Sequence, residues 1–183
     1  ITGALETYRN SEDLEYFDVA NNFWDICNQG YLYSIGGVAG AKNPMNAECF
    51  TAQPDTLFAN GFAPDGQNET CASYNMLKLS RALFMFQPEA RYMDYYEQAL
   101  YNHILASVAE HDSGNTYHVP LNPGARKGFG NENMDGFSCC NGTALESSTK
   151  LQDSIYFHSA KDDALYVNLY VPSTLTWKER NVV

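Results

Sequence analysis

The sequence predicts a mainly α-helical fold built of αα-hairpins, with a β-strand near its C-terminal end. Apolar residues recur at three-and-four spacing over 13–28, 71–87 is apolar on most sides, and one stripe runs along 89–110. Pro88 alone separates the last two segments, the mark of a helical hairpin with a very short turn. The run Leu165-Tyr-Val-Asn-Leu-Tyr-Val171 then abandons the helical period and ends at Pro172.

Each element has local grounds. In 13–28, Leu14, Phe17, Ala20, Phe23, Trp24 and Cys27 line one face, with Ser11 as the expected N-cap and Gly30 as the stop. Residues 30–68 hold Gly36-Gly37, Asn43-Pro44, Pro54-Asp55 and Pro64-Asp65-Gly66 and read as one long loop, a length that usually marks function. Segment 71–87 is apolar on most sides, as in a helix buried among helices. In 89–110 the stripe is Tyr92, Tyr96, Leu100, His103 and Ser107, and Gly114-Asn115 breaks it. Residues 117–121 are expected to be extended and 122–138 to form a Gly-rich loop. Thr143-Ala-Leu-Glu146 has the form of a capping box, so the next helix is expected to begin there and run to about Phe157. Lys161-Asp162-Asp163 is the expected turn before the strand, and a domain boundary is expected near 160.

Composition narrows the function. The 183 residues suit about one domain, and 44% hydrophobic with 14% aromatic residues exclude intrinsic disorder. No apolar run approaches the ~18 residues of a membrane-spanning helix. With 11 Lys and Arg against 22 Asp and Glu, and Arg126-Lys127 the one basic doublet, neither nucleic acid nor a membrane is an expected partner. The chain starts at Ile1 and ends at Val183 just after a strand-like run. It reads as a fragment of a longer polypeptide, in which targeting is not legible.

Cysteines stand at 27, 49, 71, 139 and 140. The odd count and the adjacent pair point to thiols rather than a disulfide framework. Cys27, on an apolar helix stripe, reads as a small buried hydrophobe. Cys139 and Cys140 are expected in a tight turn just before the Thr143 helix, where both sulfurs can reach one ion and a helix N-terminus favours thiolate. Two thiolates repel unless a cation lies between them, and Zn²⁺ suits a sulfur-rich set. Glu69-Thr-Cys71, at the expected helix start, offers a third sulfur and a carboxylate. The spacing matches no zinc-finger pattern, and Cys71 alone can equally be a buried hydrophobe. Glu48, inside Asn-Ala-Glu-Cys-Phe, is either a solvated loop carboxylate or a desolvated general acid. His103 reads as a core histidine, and His111 and His158 as surface residues. His118, beside Tyr117, is a candidate to face a ligand. Asn68-Glu-Thr70 and Asn141-Gly-Thr143 are formal glycosylation sequons that overlap these candidates and read as coincidence.

Several of these motifs together resemble the zinc-dependent β-L-arabinofuranosidase family of glycoside hydrolases. They are Ile35-Gly-Gly37, Glu48-Cys-Phe50, Glu69-Thr-Cys-Ala-Ser-Tyr-Asn-Met-Leu-Lys-Leu79, the helix from Ala90 to Leu105, Tyr117-His-Val-Pro-Leu121, Cys139-Cys140 with Gly142-Thr143, and Leu165 to Ser173. The resemblance covers nearly the whole chain. It implies an (α/α)₆ barrel followed by β-sandwich domains, with residues 1–160 the later part of the barrel and 161–183 the start of a sandwich. It implies Zn²⁺ held by Glu69, Cys71, Cys139 and Cys140, Cys139 as nucleophile, Glu48 as general acid/base, and Tyr117 near the sugar. The implied function is a retaining hydrolase that releases L-arabinofuranose from an arabinose-containing oligosaccharide or glycan. The fragment alone is expected to be inactive without the remainder of the parent chain. Cys49 directly after Glu48 departs from the family pattern and leaves the subfamily and linkage open.

Three other readings stay open on sequence. A closed Cys₃Glu site would make a non-catalytic zinc-binding helical module. Cycling of Cys139 and Cys140 would make a thiol redox protein without metal. An (α/α)-barrel enzyme acting on another sugar, such as a lyase, would leave the cysteine idle.

Overall fold

The computed structural model describes residues 1–40, 48–63, 66–130, 136–161 and 163–183, with backbone alone at Leu151. The Asn43-Pro44 and Pro64-Asp65 turns, part of the 122–138 loop and Asp162 of the expected turn lie outside the described residues.

The protein is mainly helical. Helices α1 (Thr2–Ser11) and α2 (Leu14–Gly30) form one antiparallel hairpin, and α4 (Thr70–Phe86) and α5 (Ala90–Ala99) form a second. The first was only half expected. Its leading helix buries little besides Leu5, so it shows almost no apolar stripe. Glu12, in the left-handed conformation, turns the chain between the two helices. Asp13, not Ser11, caps α2 by accepting from the Glu15 N–H, because Ser11 is already the last residue of α1. Pro88 separates α4 from α5 as expected.

Helix α4 is the hub and packs against α1, α2, α5 and, through its N-terminal part, α6 (Cys139–Lys150). Its buried residues run along most of its length, from Thr70 to Phe84. Trp24 of α2 stacks edge-on against Tyr92 and Tyr95, and its Nε1–H donates to Ser80 Oγ at 2.7 Å. That bond satisfies a polar atom which burial would otherwise leave costly. At the hairpin surface, the Arg91 guanidinium pairs with Asp25 and Glu89. The predicted stripe Tyr92, Tyr96, Leu100, His103 and Ser107 is buried throughout. Its helix does not reach 110, however. After Ala99 it widens into a π-helical turn, Leu100–Ile104, and tightens into a 3₁₀ turn that ends at Ser107.

The long loop contains a short helix, α3 (Leu57–Gly61), and a strand, β1 (Gln67–Glu69). Strand β1 pairs antiparallel with β2 (His118–Pro120) in the register Glu69–His118, Asn68–Val119 and Gln67–Pro120. This ribbon delivers the chain directly into α4. A second ribbon joins β3 (Tyr156–His158) to β4 (Leu165–Val167). The strand expected to reach Val171 is therefore shorter, and the helix expected to reach Phe157 stops at Lys150, followed by a 3₁₀ turn over Leu151–Ser154. No described helix is long and apolar enough to cross a membrane.

Candidate functional site

The start of α6 differs from expectation in a way that shapes the site. The helix begins at Cys139, four residues before Thr143. Its cap is Ser138, whose Oγ accepts from the Asn141 N–H at 3.4 Å, while Asn141 Oδ1 accepts from the Ser138 N–H at 2.8 Å. This is a capping box with asparagine in the glutamate position. Thr143 and Glu146 are engaged elsewhere: Thr143 Oγ1 donates to the Cys140 carbonyl, and Glu146 pairs with Lys150. Cys139 and Cys140 thus occupy the first helical turn rather than a preceding tight turn. Side chains lean toward a helix's N-terminus, so both still reach the space ahead of that turn.

The N-terminus of α4 faces the same space. Glu69 is its N-cap residue, and Cys71 lies in its first turn. Cys71 Sγ lies 3.0 Å from Cys140 Sγ and 3.5 Å from Thr143 Oγ1. Cys139 Sγ lies 4.0 Å from Glu69 Oε1. One donor atom from each of Glu69, Cys71, Cys139 and Cys140 falls within 4.8 Å of every other. Sulfurs on a tetrahedral Zn²⁺ would sit about 3.8 Å apart, from a Zn–S bond of about 2.3 Å. Three sulfurs and one carboxylate oxygen therefore fit that ion in donor type, and the Cys71 and Cys140 sulfurs, 3.0 Å apart, would have to separate by somewhat under an ångström to hold it.

Without a cation, the surroundings favour the neutral forms of these donors. Burial pushes the Cys71 and Cys140 thiols up, and their mutual contact raises Cys71 further. Burial and the nearby Glu48 charge also raise Glu69, against a lowering contact from Cys71. A cation at the centre would reverse this preference for neutral forms. All five cysteines are free. Cys27 lies in the core, and burial pushes its thiol up to about 12, as a packing residue should show.

Tyr117, immediately before β2, connects this cluster to Glu48. Its hydroxyl donates to Glu48 Oε1 at 2.6 Å and lies 3.2 Å from Cys139 Sγ. The bonds to Cys139 and Glu48, then desolvation, hold the Tyr117 hydroxyl well above its ordinary range, so it stays protonated. His118 packs its ring 4.4 Å from that of Tyr117, and burial lowers its pKa. The structure thus brings all seven sequence-derived candidates to one region: Glu48, Glu69, Cys71, Tyr117, His118, Cys139 and Cys140.

His103 is fully buried, bonds Ser73 Oγ through Nδ1 at 2.7 Å, and is pushed down to about 4 by desolvation. It is a core residue, as expected, although its Nε2 finds no partner among the described residues. His111 and His158 are exposed. Both sequon asparagines, Asn68 and Asn141, are buried. Sequence reasoning missed Ser138 and Asn115. Asn115 accepts from Asn141 and donates to the Cys140 carbonyl. The pattern Ser138-x-x-Asn141 was the available signal for the first of them.

A helical scaffold thus carries three cysteines and a glutamate that could hold a metal ion, beside a carboxylate bonded to a tyrosine. The comparisons with known proteins carry this further. Residues 1–153 match the family model of the β-L-arabinofuranosidase GH127 catalytic domain, and the chain belongs to that family of glycoside hydrolases. No match was found among curated proteins. Among solved structures, the chain is similar to Ara127N-Se, a GH127 β-L-arabinofuranosidase from Geobacillus stearothermophilus T6, with TM-score 0.69 and 23% identity over 93% of this chain and 27% of that one. It is similar also to the GH127 β-arabinofuranosidase BT3674, with TM-score 0.70 and 23% identity over 92% of this chain and 25% of that one. A third structure, a glycoside hydrolase, matches with TM-score 0.69 and 18% identity over 92% of this chain and 30% of that one. At these identities the likeness is one of fold. The chain spans between a quarter and a third of the length of these relatives.

Proposed function

We propose that the intact enzyme containing this chain is a retaining β-L-arabinofuranosidase, with Cys139 as nucleophile and Glu48 as general acid/base. One observation carries the reading. The Tyr117 hydroxyl touches both Glu48 and Cys139, so a carboxylate and a nucleophilic sulfur stand on either side of one phenol, at the edge of a four-donor cluster. Glu69, Cys71, Cys139 and Cys140 would hold Zn²⁺, which when bound supplies the positive charge that keeps the sulfurs ionised at neutral pH.

The steps follow from the residues. The Cys139 thiolate attacks the anomeric carbon and forms a C–S bond. The glycosidic C–O bond breaks, and Glu48 gives its proton to the departing oxygen. Water then attacks the same carbon while Glu48 takes its proton. The C–S bond breaks and its electron pair returns to Cys139. Two displacements at one carbon retain configuration. Tyr117 orients the Glu48 carboxylate and, with His118, lines the place of the sugar. Residues 1–160 would form the later part of an (α/α)₆ barrel and 161–183 the opening of a β-sandwich. The substrate would be an arabinose-containing glycan.

The test is hydrolysis of an aryl β-L-arabinofuranoside by the intact enzyme, followed by NMR of the first-formed anomer and mass spectrometry of a trapped intermediate. Retained β-configuration with a pentosyl adduct on Cys139 is expected. Inverted product, or an adduct on another residue, overturns the assignment.

A further inference from the structure

Glu48 sits in a loop, yet general acid catalysis needs its carboxylate held to a fraction of an ångström. Tyr117 fixes the side chain, but a single bond from one phenol does not fix the backbone behind it. The structure supplies a second hold. The Gly40 N–H donates to the Cys49 carbonyl at 3.0 Å, which ties the residue next to Glu48 to the end of the 36–40 segment. The Gly40 carbonyl accepts from Tyr33 Oη at 2.9 Å. Ala39, one residue back, accepts from Asn68 Nδ2 at 2.8 Å and from the Glu69 N–H at 3.4 Å. Asn68 is fully buried and directly precedes Glu69 in β1.

Close packing makes this hold rigid. A Cβ on Gly40 would lie 2.2 Å from the Gln67 carbonyl oxygen, and one on Gly37 would lie 2.2 Å from Asn68 Oδ1. The 37–40 backbone is therefore pressed flat on β1, the strand that carries Glu69. Tyr33 is itself buried, and its own N–H donates to the Gly37 carbonyl at 2.8 Å, so both ends of the side chain's reach are anchored.

We infer that Tyr33 and Asn68 are positioning residues that hold the acid/base Glu48 at its working distance from Cys139, by clamping the 37–40 segment between Cys49 and strand β1. The inference rests on the assignment of Glu48 above. It extends that assignment to two residues whose side chains bond the 39–40 backbone rather than the donor cluster or Glu48.

The experiment uses the intact enzyme and the variants Tyr33→Phe and Gly40→Ala, alone and combined with Glu48→Gln. Amide hydrogen exchange across 36–50 reads the clamp without reference to activity. Hydrolysis of an activated aryl β-L-arabinofuranoside against an alkyl one reads its effect on acid catalysis. Tyr33→Phe keeps the ring and removes one bond, so the fold and zinc content are expected to persist. Exchange across 36–50 is expected to quicken, with a loss in kcat/KM of roughly tenfold on the alkyl glycoside and under about twofold on the activated one. In the Glu48→Gln background the same change is expected to add nothing, because residues acting through one group are not additive. Gly40→Ala is expected to act in the same sense and more strongly. Unchanged exchange in both variants overturns the clamp. Faster exchange with equal losses on both substrates, or full additivity with Glu48→Gln, overturns its action through Glu48. A wild-type enzyme inactive on every β-L-arabinofuranoside overturns the functional reading instead, and the exchange measurement still decides the clamp.

Discussion

Zinc binding by the intact enzyme should strengthen steeply with pH, and replacing Cys140 should weaken it and flatten that slope. Cys140 is buried at the N-terminus of α6, with its sulfur 3.0 Å from that of Cys71. Burial raises the thiol pKa of both residues above the ordinary value, so near neutrality both carry protons in the metal-free site. A metal ligand must be a thiolate, so binding releases at least these two protons. The apparent Kd should therefore fall by about a hundredfold or more for each pH unit gained below the free-thiol pKa. Structural four-ligand zinc sites bind with about 10–16 kcal/mol, or about 2.5–4 kcal/mol per ligand. Cys140→Ser should accordingly raise Kd by roughly a hundred- to a thousandfold. The same variant removes one of these protons, so its slope should drop by a factor of about ten per pH unit. The assay is competition with a chromophoric chelator from pH 6 to 8, with elemental analysis for stoichiometry. One zinc per chain is expected. Equal affinity in wild type and Cys140→Ser, or a Kd independent of pH, would refute the cluster as a thiolate metal site.

Four further outcomes follow from the geometry. Cys139→Ala should lower turnover by roughly a thousandfold or more with an unchanged circular dichroism spectrum; substantial residual activity removes Cys139 as nucleophile. Glu48→Gln should lower kcat/KM, which excludes the water step, by roughly 10²- to 10⁴-fold on poor leaving groups and far less on activated aryl glycosides, and equal losses on both would argue against acid catalysis. Alkylation of the metal-free protein at pH 8 should label the exposed Cys49 and Cys139 and spare Cys27, whose thiol is buried and raised to about 12; early labelling of Cys27 would contradict its core placement. Trp24→Ala should destabilise the protein by about 3–5 kcal/mol in denaturant unfolding, since it empties a buried site between Ser80, Tyr92 and Tyr95. A loss under about 1 kcal/mol would mean that α2 contributes little to the core.

The sequence by itself determined the elements whose signals are periodic or local. The stripes of α2 and α5 were legible because burial on one side of a helix repeats every 3.6 residues, and α4 because it is apolar on most sides. Pro88 marked the hairpin because proline cannot continue the preceding helix. The candidate ligands were legible as residue types, with Glu69-Thr-Cys71 rightly placed at a helix start and Cys27 rightly set apart in the core. Tertiary structure decided the rest. Thr143 and Glu146 have the spacing of a capping box, but Ser138 and Asn141 cap the helix, because Thr143 sits inside it against Cys71 and Glu146 is drawn to Lys150. The short strands β1 and β2 are too brief for a period and exist because Gln67–Glu69 finds His118–Pro120. Above all, 69 residues of chain separate Glu48 from Tyr117, and 69 separate Cys71 from Cys140. No local rule relates positions so far apart. They meet because the N-termini of two helices and one strand ribbon, each formed for its own local reasons, are packed around α4 so that their polar ends converge.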